Sequence, residues 1–580
     1  MPAHRTKDPR SKGNLISVFI FILAIVGFLV GWKTLWFLTD DAFIAFRYVS
    51  NRQLGHGYVW NGPPFLPVEG YTSFLWLLML DAVWSITGVE PPESSNWLAC
   101  MFGVGSLALT SVMVLKMRLG IQLQNHRNWF LLVVLLGMVT NLGFLVWTSS
   151  GLETSLFNFL VVAWVAVGLY FKRTSRSWIL GLALTGGLLA LTRPDGLLMA
   201  TMSGLCILVA WTIMRPRPPV ARLAYSLPLA LPALHLFWRK SFYNEWLPNT
   251  YFAKHLGAWP EAGIRYLVSY VLEYGLWFWA LLVLVVLLCW LRDLARKVER
   301  RDLWNADMMV RIGIIGCVVV HLGYYTFVIG GDHFEYRVYS YTAPLVLLTT
   351  VWLINRLVEN RGWKKTWAIF VPLVVVVLAL PIPWTHWSKA QSLTSRNQTF
   401  QMVIPLAQSF PIGTRWYVQS FDTLQRWLIG DHAIGIRHQE HKVFLEYQRA
   451  IYPRTRLLES ESLDEHNVFR VPTVGVPSWI LARAHLIDIL GLNDYVTARL
   501  AVSPTKSRRM AHDRVSPHAY VACFKPNLIV RSVGLVNMGV DDLSNWESPG
   551  FGIVPRTSPL TSLNIKECER RWRQQIRTSL

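Results

Sequence analysis

Two adjacent carboxylates, Asp40 and Asp41, follow directly on the apolar run Leu15–Phe37 and open a segment with helical spacing. Phe43, Phe46 and Val49 fall on one side of that segment, and Arg47, Asn51 and Arg52 on another. The run is long enough to cross a bilayer. The pair should therefore sit at the membrane–water boundary, where a helix lying on that boundary begins. Ionisable groups at such a place are a functional hypothesis by default. The plainer reading is that Asp40 caps the helix, but a cap needs one small polar residue and leaves the second acid unexplained. Carboxylates ~4 Å apart repel by roughly 4 kcal/mol at an effective dielectric near 20, so the pair needs a cation, a metal or a shared proton.

Further charged residues lie in the loops expected on the same side: Glu69, Asp195, Asp332 and Glu335, with the cations Arg47, Arg193, Lys254, Arg337 and Lys389. A carboxylate base with several cations suits transfer from a phosphate-linked donor. The base takes a proton from an incoming hydroxyl, and the cations hold the phosphate as its charge grows. Outside the cytoplasm there is no nucleotide pool, so an activated sugar there would hang on a membrane lipid phosphate. The sequence contains no Walker loop, no HExxH, and no GxSxG with triad partners. His56, His333, His386 and His432 share no metal spacing; His333, beside Asp332, is the one to test as a ligand.

The elements that position these residues follow from hydropathy. A chain of 580 residues, 53% hydrophobic, with repeated apolar runs of roughly 18 or more residues, is a polytopic α-helical membrane protein. Its net charge of +21 is not a nucleic-acid signature, because many of the cations cluster in short loops between apolar runs. Arg5, Lys7, Arg10 and Lys12 mark a cytoplasmic N-terminus rather than a cleaved leader. Basic loops follow at Lys116-Met117-Arg118, at Lys172 to Arg176, at Arg215-Pro216-Arg217, from Arg292 through Lys297, Arg300 and Arg301 to Arg311, and around Lys364-Lys365. Counting between them gives eleven spans, at about 15–37, 95–115, 129–148, 153–171, 178–192, 196–214, 223–242, 265–291, 312–329, 338–356 and 366–387. Residues 38–92 form a long first outer loop with interfacial helices at 42–53 and 71–88, the second of which has a true span as its competing reading. The expected division is 1–387 for the membrane part and 388–580 for a soluble part outside the cytoplasm.

That second part is read as mixed α/β, with strands at 415–418, 468–471, 520–524 and 528–530 and helices at 421–428 and 486–490. Cys100, Cys206, Cys289 and Cys317 fall inside apolar runs. If the C-terminal part lies outside the cytoplasm, Cys523 and Cys568 are candidates for a disulfide.

Five ordered motifs carry a resemblance: Asp40-Asp41-Ala42-Phe43-Ile44-Ala45-Phe46-Arg47-Tyr48, Glu69-Gly70-Tyr71-Thr72-Ser73-Phe74-Leu75-Trp76, Leu191-Thr192-Arg193-Pro194-Asp195-Gly196, Leu247-Pro248-Asn249-Thr250-Tyr251-Phe252-Ala253-Lys254 and Gly330-Gly331-Asp332-His333-Phe334. Together they resemble the motif set of GT-C fold glycosyltransferases, in particular the bacterial cell-wall terminal β-(1→2)-arabinofuranosyltransferases. Asp488 to Asp494 and Met510-Ala511-His512-Asp513 look like that branch as well. The resemblance implies a multi-pass protein of the bacterial plasma membrane, in the pathway of cell-envelope biosynthesis. It implies a polyprenyl-phosphate sugar donor, often decaprenyl-phosphate arabinofuranose, and a glycan or glycolipid acceptor outside the cytoplasm.

It further implies that a first-loop acid is the base of an inverting displacement. Carried over by position this is Asp40 or Asp41, with Asp40, the first acid, preferred. Arg47, Arg193, Lys254 and Arg337 become the candidate ligands of the donor phosphate, while Glu69, Tyr71, Asn249, Asp332 and His333 become candidates for positioning substrate. Competing readings pair Arg193 with Asp195 and Arg337 with Glu335 or Asp332, and turn Glu69 to water. Some members of the wider fold hold a divalent metal at the first-loop acids; nothing in this sequence requires one at Asp40 and Asp41. Two other functions remain open: a transporter or flippase of a lipid-linked sugar, and a non-enzymatic envelope assembly protein that binds glycan.

Overall fold

The computed structural model describes residues 9–213, 219–296, 306–452, 456, 466–471, 473–502, 508–531, 550–553 and 556–579. Arg5, Lys7, Arg215, Arg217, Lys297, Arg300 and Arg301 lie outside the described residues. The molecule is a polytopic helical bundle joined to an α/β region. Among the described residues eight helices are long and apolar enough to cross a membrane: Asn14–Thr34, Pro91–Lys116, Pro194–Ile213, Val220–Tyr243, Leu276–Asp293, Asp307–Ile329, Arg337–Arg361 and Lys365–Ala390. The other three runs read as spans are helical but shorter: Thr154–Tyr170, Arg176–Thr192, and a run that Asn141 divides into Arg127–Thr140 and Leu142–Val146. Asn141 caps the second of these pieces by accepting a hydrogen bond from Phe144 N at 2.9 Å.

One expected boundary differs. The run at 265–291 is not one span, because Pro260–Glu273 is a separate helix and the chain turns at Gly275, whose φ of +60° favours glycine. Glu273 closes that helix in a buried ion pair with Arg437 of the C-terminal region, at 2.9 Å. The helix Ala42–Gln53, found at its expected bounds, is covered by protein. Every residue from Ala42 to Asn51 is buried, so both its apolar and its polar side have protein partners.

The polar side explains the burial. All five N–H donors of the Arg47 guanidinium are engaged: Nε with Trp60 O at 2.6 Å, Nη1 with Ser478 O at 2.7 Å and Leu481 O at 3.3 Å, and Nη2 with Ala484 O at 2.7 Å and Asn61 Oδ1 at 3.3 Å. Asn61 then pairs with the backbone of Leu486 as a neighbouring strand would, accepting from its N at 2.8 Å and donating to its O at 3.0 Å. Arg47 therefore ties the first loop to the C-terminal region and is not free to meet a phosphate. One hydrophobic core continues from the bundle through Phe43, Phe46 and Val49 into Leu445, Phe469, Trp479 and Leu486.

The C-terminal region carries a four-stranded sheet in the order β2-β1-β3-β4, with β1 Val468–Val471, β2 His485–Asp488, β3 Leu528–Arg531 and β4 Gly550–Ile553. β1 runs parallel to β2 and β3, and β4 is antiparallel to β3. Two expected strands are present, at 468–471 and 528–531. The expected strands at 415–418 and 520–524 fall in the helices Arg415–Gln425 and His518–Cys523, and the expected helix at 486–490 is mostly β2. Residues of β2, His485-Leu486-Ile487-Asp488, are all buried, so no alternation of polar and apolar positions marks the strand. Cys523 and Cys568 are joined by a disulfide, with an S–S distance of 2.04 Å.

Replacing Arg47 by Ala takes a donor from five acceptors, of which Ser478 O and Ala484 O have no other donor among the described residues, and each buried group left unpaired costs about 1–3 kcal/mol. Arg47→Ala is expected to lower the midpoint of thermal unfolding in detergent by several degrees, and Arg47→Lys to recover little, because an ammonium cannot span a planar fork of acceptors. Wild-type thermal stability in both variants would contradict the clamp.

Candidate functional site

The two acids have different surroundings. Asp40 is buried, and its carboxylate accepts from Gly475 N at 3.0 Å and Val476 N at 2.9 Å, the start of the short helix Val476–Ile480. The backbone approach is close: a Cβ on Gly475 would stand 2.1 Å from Asp40 O and 2.2 Å from its Cγ, so only glycine fits. Asp40 lies two residues before the helix Ala42–Gln53 and Arg47 within it, and both reach the 475–484 segment. Asp40 holds the N–H end of the 475–484 segment and Arg47 its carbonyl end, and each charge meets the backbone pole that favours it. Burial pushes the Asp40 carboxyl up to about 7, against the two N–H bonds that pull it down.

Asp41 is half-buried, and among the described residues its carboxylate makes no hydrogen bond. The extended segment before it is fixed by Thr39 N on Ser150 O at 3.0 Å and by Phe37 O, which accepts from Asn96 Nδ2 at 2.8 Å. This accounts for the polar loop Ser149 to Glu153, which is a buttress. Three imidazoles stand near Asp41. His441 and His512 both feel its charge, and the ring of His333 lies 5.1 Å from His512 and 6.0 Å from His441. Burial lowers all three, His441 to about 3, so they are neutral at ordinary pH.

The cations converge in part. Lys254, at the end of the helix Asn249–Lys254, is exposed, has no ion-pair partner among the described residues, and lies within electrostatic reach of His333 and His512. Arg337 also reaches His333 and is paired with Asp332 at 2.8 Å while stacking on Phe334. Arg193 is held by Asp195 at 3.2 Å, Glu153 at 3.3 Å and Tyr325 Oη at 2.6 Å, which makes its donors part of a buried network. Positive φ at Gly330 (+92°) and Gly331 (+104°) turns the 332–337 loop toward residues 433–437, where Glu335 N bonds Ile436 O at 3.1 Å and Ile436 N bonds His333 O at 2.8 Å. Lys389 is exposed at the end of its helix.

Three expected positioning residues belong to a different cluster. Glu69 is buried against Arg239, with Oε1 3.2 Å from Nη2. Tyr71 Oη lies 3.2 Å from Tyr243 Oη. Asn249 joins the C-terminal region by donating to Gly491 O at 2.8 Å and to Leu492 O and Asp494 O at 3.0 Å. These contacts satisfy the three side chains within the protein. Conversely, His441 and His512 carried no role in the sequence. His512 stood in a recognised motif, whereas His441 sits in an amphipathic helix, His438–Ile451, with nothing in its spacing to single it out.

The acids do not fit a divalent metal. Both oxygens of Asp40 already accept backbone N–H bonds. No group of three or more His, Cys, Asp or Glu among the described residues is arranged to hold an ion.

Neither a family model nor a curated protein matches the chain. Among solved structures, ArnT from Cupriavidus metallidurans bound to undecaprenyl phosphate is similar over 81% of this chain and 85% of its own, with 12% identity and a TM-score of 0.43. A likeness of that degree bears on neither reaction nor ligand.

The different environments of the acids have a consequence in pH. An unfolded Asp titrates near 3.9, and the folded Asp40 near 7. The folded state thus binds the proton more tightly, so stability from this group is full at low pH and is lost as pH rises through about 7, a change of up to about 4 kcal/mol. The difference in unfolding midpoint between wild type and Asp40→Asn should therefore vary across pH 4–7 and be constant above about 8. A difference independent of pH would show that Asp40 is not the buried, raised acid.

Proposed function

We propose that this chain is a GT-C type glycosyltransferase of a bacterial plasma membrane. It moves a sugar, a pentofuranose such as arabinofuranose, from a polyprenyl phosphate to a glycan or glycolipid outside the cytoplasm. In this reading the N-terminus is cytoplasmic, residues 1–387 form the membrane catalytic unit, and residues 388–580 form an extracytoplasmic domain that closes over it. The observation that carries the reading is a chain of neighbours from five separate stretches: Asp41, with no hydrogen bond among the described residues, acts on His441 and His512, their neighbour is His333, and Lys254 and Arg337 act on His333.

Asp41 is the base. Its carboxylate takes the proton of the acceptor hydroxyl while that oxygen attacks the anomeric carbon. The bond from that carbon to the phosphate oxygen breaks on the opposite face, and its electron pair leaves with the polyprenyl phosphate. Lys254 and Arg337 hold the phosphate and stabilise the charge it gains. Asp40 is the anchor that fixes where the adjacent Asp41 stands. Asp81, the one acid within an apolar run, is engaged by Tyr58 at 2.6 Å, Gln53 at 2.7 Å and Arg52 at 3.1 Å. A cation relay for transport therefore finds no unpaired acid there.

The test is product analysis by mass spectrometry after the purified protein is incubated, without any gradient, with a panel of synthetic polyprenyl-phosphate pentoses and glycan acceptors. Asp41→Asn should lower kcat by about 10²–10⁴-fold at unchanged thermal stability. Asp40→Asn should lower stability first, and Lys254→Ala should raise KM for the donor. Full transfer by Asp41→Asn would overturn the assignment of the base, and no transfer or hydrolysis from any donor by wild type would overturn the reaction.

A further inference from the structure

Each of the three imidazoles near Asp41 has one nitrogen tied to a backbone carbonyl. His333 Nδ1 lies 2.9 Å from Ala433 O and His512 Nδ1 lies 2.7 Å from Met510 O. His441 bonds Ile436 O, and its Nε2, buried with the rest of the ring, has no partner among the described residues. A carbonyl can only accept, so in each ring Nδ1 carries the proton. In a neutral imidazole Nε2 is then a lone-pair acceptor. His441 is also locked in place, its ring 4.8 Å from that of Phe334 and its helix packed into the core. An acceptor left without a donor in a buried, rigid position costs folding free energy, and a ligand that brings a donor would recover it.

The chemistry of the missing donor is constrained. Unprotonated Nε2 atoms repel phosphate oxygens and cannot donate to them, so this side of the site does not bind the phosphate; Lys254 and Arg337 flank His333 for that. A carboxylate or other anion is excluded on the same ground. The rings are not arranged to share a metal ion. What remains is a neutral group rich in O–H donors, which is what a sugar ring presents.

We propose that His441, with His333 and His512 beside it, forms a hydroxyl-reading subsite in which neutral Nε2 atoms accept hydrogen bonds from a saccharide next to Asp41. This rests on the proposed transferase reading for its place in the reaction, but the binding itself does not depend on transfer. The subsite makes the C-terminal region a contributor to sugar specificity: His441 and His512 belong to it, whereas Asp41, Lys254 and His333 belong to the membrane part. His441 is a positioning residue in this scheme, since it orients the sugar and moves no proton.

The experiment pairs a deletion in the protein with deletions in the ligand. Full-length protein in lipid nanodiscs is titrated with methyl pentofuranosides and with their analogues lacking one hydroxyl at a time. The variants are His441→Phe, which keeps the aromatic contact with Phe334 and removes the acceptor, and His441→Gln, which restores an acceptor. In wild type one deoxy analogue should bind about tenfold more weakly than its parent. In His441→Phe the parent should fall to the level of that analogue with no further loss on removing the hydroxyl, and His441→Gln should recover part of the difference. Thermal unfolding of both variants reports folding separately. In the transfer assay, the same deoxy effect appearing in KM for the donor or in KM for the acceptor identifies which sugar is read, and either supports the subsite. Additive losses, or binding of all analogues alike in wild type and His441→Phe, would overturn it. Saccharide binding that depends on His441 in a protein without transfer would instead overturn the proposed reaction and leave the subsite standing.

Discussion

The structure depends on how two ionisable groups at and before one short helix are satisfied by another part of the chain. Asp40, just before the helix Ala42–Gln53, and Arg47, within it, hold the 475–484 segment at its N–H end and its carbonyl end. Neither charge has an ionic partner among the described residues; both are neutralised by backbone dipoles. Such charges tolerate burial only while every bond is made, so the clamp makes the first loop and the C-terminal region a single folded unit. Without the C-terminal region the helix would lose cover from Phe46, and Arg47 would lose the acceptors Ser478 O, Leu481 O and Ala484 O.

This constraint also separates two residues of identical chemistry. Asp40 is anchored by backbone N–H groups and packed against Gly475, a position that costs it solvent. Asp41, one step on, makes no hydrogen bond among the described residues, and its charge reaches the imidazoles of His441 and His512. Environment rather than residue type gives one acid a structural role and leaves the other available for chemistry. The cations divide in the same way. Arg47 and Arg193 have their donors bound by protein acceptors, whereas Lys254 has no such partner among the described residues.

How much of this could be read beforehand follows from which signals are local. Apolar runs of span length and basic loops between them are local properties, and all eleven runs are helical in the structure. Breaks inside them, at Asn141 and Gly275, were less legible because a single polar residue or glycine is tolerated in many helices. The helix Ala42–Gln53 lies where its pattern places it, but the partners of its polar side were not legible: Arg47 and Asn51 look the same whether they face water or a cluster of carbonyls. In the C-terminal region Arg415 to Val418 has strand propensity and folds as helix, because tertiary contacts outweigh propensity in so short a stretch. Asp41, Lys254, Arg337 and His333 were legible as candidates from their unusual positions in short loops. His441 was not, because only the fold brings it beside residues some 100 and 400 positions away.

The central claim is that Asp41, not Asp40, faces the reacting sugar, while Lys254 and Arg337 face the phosphate. The most direct measurement is an experimental structure of the protein in a lipid nanodisc with a non-hydrolysable polyprenyl-phosphonate pentose. The account predicts phosphonate density within hydrogen-bond reach, about 3 Å, of Lys254 Nζ, the anomeric carbon on the Asp41 side, and Asp40 still bonded to Gly475 and Val476. A headgroup resting on Asp40, or bound at Glu69 and Asn249, would contradict it.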